Sequence, residues 1–181
     1  DAVSLLDTAR RLRDDGLYRS GRKLTGRPHL FLGAVDNPFV PPHDLRPLRL
    51  GRKIAAGARF VQTQYCFDVA MLARYMASVR AEGLHERCHI LVGVGPLVSA
   101  RSARWMRAHV PGVHIPDEVV ARLESARDPE DEGVRQCVET IEAIRAIEGV
   151  SGIHLMAPKR EHLIGAIVSR SRVLADRPRA S

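Results

Sequence analysis

The stretch Arg59-Phe60-Val61-Gln62-Thr63-Gln64-Tyr65-Cys66-Phe67-Asp68 reads as a core strand carrying two amides where hydrocarbon is expected. Val61, Thr63 and Tyr65 favour extended backbone, and the preceding Ala55-Ala56-Gly57-Ala58 reads as a helix end. A parallel strand sandwiched between helical layers is almost continuously apolar, because both its faces are covered. Gln62 and Gln64 lie two residues apart and so point to the same side. A buried primary amide destabilises the fold unless its donors and acceptor are paired. The stretch therefore predicts either a ligand-reading group or a satisfied structural amide at the end of a core strand.

Outward from this strand, helical and extended segments alternate. Apolar residues at near-helical spacing predict a helix over 2–15, stopped by Gly16. A basic loop over 19–27 leads into a short strand over 29–35, and Asn37-Pro38 and Pro41-Pro42 then break the backbone. Helices are expected over 44–58, 69–82 and 99–110, the last with Ser99 as N-cap. A strand is expected over 89–95, closed by Pro96. Pro116 is expected as the first residue of the next helix, with Asp117 and Glu118 on its positive end. The longest helix is expected over 129–147, its acids Glu130, Asp131, Glu132 and Glu139 suiting an exposed face. A last strand over 152–157 and a helix over 161–174 follow, then a polar tail over 175–181.

Four strands alternating with helices predict βαβ units and a parallel α/β sheet. A closed (β/α)8 barrel takes about 250 residues, and a doubly wound sheet commonly has about six strands. A chain of 181 residues that begins directly in a helix at Asp1 is therefore expected to be one partial domain, the second half of a larger fold.

Composition narrows the function classes. The chain is 45% hydrophobic and 27% charged, and no apolar run approaches the ~20 residues of a membrane span. Cys66, Cys88 and Cys137 show neither CxxC nor Cys/His ligand spacing, which argues against a disulfide framework or metal site and predicts a cytoplasmic protein. The net charge of +7 is spread along the chain with few aromatic residues, arguing against nucleic-acid binding.

Among candidate sites, Gly93-Val94-Gly95-Pro96 could cradle a phosphate, but Pro96 lacks a donor and tight strand-to-loop turning is the better account of the glycines. His154 sits mid-strand and reads as a hydrogen-bonded core residue. Arg52-Lys53 could reach an anionic cofactor over the sheet. Arg160 follows the last strand, on the face where α/β proteins bind ligands, and could clamp a carboxylate.

Taken in order, Lys53-Ile54-Ala55-Ala56-Gly57-Ala58, Thr63-Gln64 with Phe67-Asp68, Val92-Gly93-Val94-Gly95-Pro96, and Val113-His114-Ile115-Pro116 resemble the methylenetetrahydrofolate reductase family over about 29–174. The resemblance implies the C-terminal half of a (β/α)8 TIM barrel, with FAD as cofactor and NAD(P)H as co-substrate. It implies substrate contacts for Gln64, at the family's pterin-binding glutamine, and for Arg160. It also implies them for Ser102 and Met106, which stand where the family carries a glutamine and a phenylalanine. Asn37, Arg52 and Lys53 match flavin-binding positions. Gln62, a layer deeper, is expected to be structural. The family's general acid belongs to the first half of the barrel, so no catalytic residue is expected within this chain.

The expected activity is flavin-dependent reduction of methylenetetrahydrofolate, with a first-half polypeptide or upstream segment completing the barrel. A homo-oligomer is compatible with this reading, and neither nucleic acid nor a membrane is expected as a partner. Two alternatives remain. One is a divergent folate- or flavin-binding module, and the other a flavin-independent, pterin-dependent methyltransferase-type barrel.

Overall fold

Four parallel strands pair in chain order, β1 (Gly33–Asp36), β2 (Phe60–Tyr65), β3 (His89–Val94) and β4 (Gly152–Leu155). The computed structural model describes residues 1–175, so 176–181 of the expected tail lie outside the described residues. Sequential order is that of a barrel wall, whereas a doubly wound sheet reverses at a switch point. Helix α1 (Ala2–Asp14) precedes the sheet, and α2 (Arg46–Ala55) and α3 (Val69–Ala81) form the first two crossovers. The third crossover holds α4 (Ala100–His109), α5 (Asp117–Ser125) and α6 (Pro129–Arg145), and α7 (Ile164–Ser171) follows β4. The architecture is α/β and consistent with part of a (β/α)8 barrel.

Among the described residues, one face of the sheet is covered and the other is largely open. Val61, Ile90 and Val92 point into a core filled by Leu50 and Ile54 of α2, Leu72, Met76 and Val79 of α3, and Ile141 and Ile144 of α6. On the opposite face Val35 is 74% exposed, and Gln62 and Gln64 are half-buried. The amides thus stand on an open face, which explains how a parallel strand tolerates them.

Several boundaries differ from the sequence-based expectation. The first strand covers Gly33–Asp36 rather than 29–35. Leu32 packs on Leu6, Ala56 and Ala58, and its carbonyl accepts from Arg59 N–H, but Phe31 is 70% exposed and outside the ladder. The helix expected over 44–58 divides into a 3₁₀ turn at His43–Leu45 and α2, and α2 stops at Ala55, before Gly57 with a φ of 111° turns the chain into β2. Pro116 is the N-cap of α5, in extended backbone, rather than its first residue. The last helix opens as a 3₁₀ turn and ends at Ser171.

Glu132 is a further correction, since it is buried rather than on an exposed face. It accepts from Arg122 at 2.8 Å and pairs with Arg135. Arg122 also holds Glu139 by two hydrogen bonds, which keeps that carboxyl below the usual range. Burying a carboxylate requires such pairing, so the cluster fastens α5 to α6.

A one-residue bulge interrupts β2. Gln62 pairs with Leu91, but Tyr65 rather than Gln64 pairs with Gly93. The Thr63 hydroxyl bridges the gap, accepting from Gly93 N–H at 2.9 Å and donating to the Gln64 carbonyl at 2.8 Å. Bulges re-aim side chains where strands end at sites. Thr63→Val leaves the buried Gly93 N–H unpaired and should destabilise by about 2 kcal/mol, with Thr63→Ser close to wild type in urea unfolding.

All three cysteines are buried thiols. Burial, chiefly desolvation, pushes Cys66 and Cys137 up to about 12 and Cys88 up to about 11, from an ordinary value of 9.0. A raised thiol pKa contributes stability that is complete below 9.0 and is lost as pH rises from there towards 12. Thiol reagents at mildly alkaline pH should therefore label the native protein slowly and label it fast once urea unfolds it. Rapid labelling of the native state would contradict this account.

Candidate functional site

The C-terminal ends of β1, β2 and β4 open into a trough of about 740 Å³ on the uncovered face. Its floor is formed by Gln62 of β2 with His154 of β4 and the following Met156, and Gln64 of β2 stands at its rim. Its wall is α2, where Arg46, Arg49, Arg52 and Lys53 recur at three- to four-residue spacing and so share one helix face. Asp36 and Asn37 border it from β1, and the first residues of α1 close one end.

Asp36 is the electrostatic centre of the rim. Its carboxylate accepts from Lys53 Nζ at 2.7 Å and from the Tyr75 hydroxyl at 2.6 Å. Lys53 also donates to the Val35 carbonyl at 2.7 Å. One buried carboxylate thereby ties β1 to α2 and α3. Desolvation, with Asp36 beside it, pushes the Tyr75 phenol well above its ordinary value.

Two rim amides hold the turn after α4. Gln64 accepts from Tyr65 N–H at 3.0 Å and donates to the Pro111 carbonyl at 3.3 Å. Asn37 accepts from Phe39 N–H at 3.0 Å and donates to the Gly112 carbonyl at 3.2 Å. Gly112 has a φ of 74°, and a Cβ there would lie 2.0 Å from Asn37 Nδ2, so this turn requires glycine.

Of the residues singled out from sequence, the trough brings together Gln64, Asn37, Arg52 and Lys53. Ser102, Met106 and Arg160 do not line it. The Ser102 hydroxyl donates to the Ser99 carbonyl at 2.8 Å within the cap of α4. Met106 packs on the α4–α5 cluster. Arg160 is exposed, and its carbonyl accepts from Leu163 N–H at 3.0 Å in the turn that follows β4. The glycines of Gly93-Val94-Gly95 serve close packing, since a Cβ on Gly93 would lie 2.4 Å from the Thr63 carbonyl oxygen and one on Gly95 2.1 Å from that of Met156.

Sequence reasoning missed Asp36, Arg46 and Arg49 and underrated His154. The spacing of Arg46, Arg49 and Arg52 was a usable signal. Asp36 offered none, because its partners Lys53 and Tyr75 come from distant segments.

The fold and the trough together define an α/β protein of the barrel type, with an open cleft at its C-terminal strand ends. Residues 42–172 match the methylenetetrahydrofolate reductase family, and the chain belongs to that family. It is 25% identical over 138 residues to a probable methylenetetrahydrofolate reductase (NADPH) of Caenorhabditis elegans, an alignment covering 74% of this chain and 20% of the relative. Among solved structures it resembles a protein from Clostridium thermocellum described as binding two copies of 5-methyl-5,6,7,8-tetrahydrofolic acid. That likeness has a TM-score of 0.62 at 17% identity and covers 80% of this chain and 53% of the other. The chain thus spans about a fifth of the curated relative and about half of the structural neighbour.

Proposed function

We propose that this chain supplies the C-terminal half of the site of a flavin-dependent methylenetetrahydrofolate reductase, with NAD(P)H as the source of reducing equivalents. The observation that carries this reading is the trough itself, with an amide at its mouth and a cationic wall beside it. Its volume lies within the range of about 300–1,000 Å³ usual for small-molecule and cofactor sites. The residues present fit FAD. Arg49 and Arg52 offer charge for its phosphates, and His154, Gln62 and Gln64 offer hydrogen bonds to heterocycle edges. When bound, FAD would carry hydride from NAD(P)H to the folate.

The role of this chain is binding and orientation. Gln64 would read the pterin edge, for which its amide would exchange the Pro111 carbonyl for the ligand. Lys53, fastened to Asp36, would place a positive charge beside the flavin without swinging freely. Arg160 would meet the folate from the turn after β4. The folate bound by the structural neighbour supports a folate ligand here. The proton donor would come from a first-half polypeptide or segment. That partner is supported by exposed Val35 and Phe31 and by outer edges of β1 and β4 that are unpaired among the described residues.

The test supplies the first half of the barrel and follows FAD absorbance and methylenetetrahydrofolate-dependent oxidation of NADH or NADPH. Gln64→Leu should lower kcat/KM for the folate by roughly 10- to 100-fold, the equivalent of an unpaired polar edge on the ligand, while leaving menadione reduction nearly unchanged. A protein that binds folate but neither FAD nor NAD(P)H would instead be a binding module. The engagement of Ser102 in the α4 cap favours that alternative.

A further inference from the structure

Gln62 and His154 meet across an intervening strand. Their side chains come from β2 and β4 with β3 between them, and Gln62 Nε2 lies 3.2 Å from His154 Nδ1. Gly93, the ladder partner of His154 on that intervening strand, carries no side chain. With the Gln62 amide nitrogen placed against it, Nδ1 accepts, and the ring proton then lies on Nε2. The ring lines the trough, and among the described residues Nε2 has no hydrogen-bond or ion-pair partner. Alternation along β4 agrees, since Ile153 and Leu155 line an apolar groove elsewhere while His154 and Met156 line the trough. His154 is half-buried, and its Nε2 faces the open trough. Here that nitrogen is left for whatever occupies the trough.

We propose that Gln62 and His154 form a hydrogen-bond donor of fixed tautomer at the trough floor, with His154 Nε2–H directed at a ring carbonyl or aza nitrogen of the bound flavin. His154 is the binding residue, and Gln62 is the positioning residue that sets its tautomer. The flavin is assigned as the partner on the flavin reading of the trough, in which Gln62 and His154 offer hydrogen bonds to a heterocycle edge. The inference depends on the flavin reading of the trough and adds to it a contact on the ring system itself.

The experiment combines ¹⁵N-histidine NMR with FAD titration of the protein assembled with its first half. Before FAD is added, His154 should show an unprotonated Nδ1 and a protonated Nε2, and Gln62→Leu should give a mixture of tautomers. Adding FAD should shift the Nε2 resonance. His154→Leu should weaken FAD binding roughly tenfold, the value of one neutral hydrogen bond at the top of its range, and move the absorption band of the bound flavin. His154→Gln can donate from a similar position and should bind within about threefold of wild type, which separates a lost donor from a damaged fold. If the wild type binds FAD but Nε2 does not respond, or His154→Leu binds with wild-type affinity and spectrum, this inference falls and the flavin reading stands. If the wild type takes up no FAD, both fall.

Discussion

Asp36→Ala is expected to lower the unfolding free energy by about 3–5 kcal/mol, the range for removing one partner of a buried ion pair. Only 3% of the Asp36 side chain and 17% of the Lys53 side chain are exposed, so water cannot replace the lost carboxylate well. The Tyr75 hydroxyl, 2.6 Å from Asp36, loses its acceptor in the same step. Asp36→Asn should fall between the two, since an amide oxygen still accepts from Tyr75 but leaves the ammonium uncompensated. Pairing Asp36→Ala with Lys53→Met should recover much of the loss, because replacing both members of a buried pair by apolar groups is often close to neutral. Urea unfolding of the wild type, Asp36→Ala, Lys53→Met and the double variant closes a double-mutant cycle. A loss below about 1 kcal/mol for Asp36→Ala would place the pair with ordinary surface ion pairs and refute its role as the tie between β1, α2 and α3.

Gly93→Ala should be the next most damaging change described, at about 3 kcal/mol, near the top of the range for overpacking. The added Cβ would lie 2.4 Å from the Thr63 carbonyl oxygen, 2.8 Å from Met156 Cε and 2.9 Å from the Gln64 carbonyl oxygen. Two of these atoms are backbone of the bulged strand, so relief must come from moving β2 away from β3. That movement would also part Gln62 from His154 and lower FAD uptake. Gly165→Ala is the control. Nothing lies within 4 Å of its Cβ position in α7, and alanine there should stabilise the helix by up to about 1 kcal/mol. Equal effects at the two glycines would mean that close approach is not what Gly93 provides.

The parts legible in the sequence are those whose signals are local and agree with one another. Helix α3, expected over 69–82, runs over Val69–Ala81, and the Asp68 cap and left-handed Gly83 seen in the structure are local signals that agree with those limits. β2 and β3 were placed well for a similar reason. The first strand was overextended because an apolar run such as Leu30-Phe31-Leu32 does not reveal where its ladder partner begins. Glu132 was misplaced because its burial depends on Arg122, which belongs to another helix. In the site, parity along β2 was enough to put Gln62 and Gln64 on one side. The Gln62–His154 contact was out of reach, since it needs the strand order and the register together. Asp36 is a similar case, a carboxylate whose meaning comes only from what the fold brings to it.

The arginine face of α2 bears on how a ligand arrives as well as on how it is held. Arg46, Arg49 and Arg52 stand along one wall of an open cleft in a chain of net charge +7, so an anion is drawn in before any specific contact forms. Such attraction reaches about a Debye length, roughly 8 Å at physiological ionic strength, and weakens as salt is added. Capture of a phosphate-bearing ligand should therefore slow with rising salt, while its departure, set by the short contacts at the floor, stays nearly constant. The helix acts on the encounter rate and the strands on the residence time, so the two can be tuned by separate substitutions.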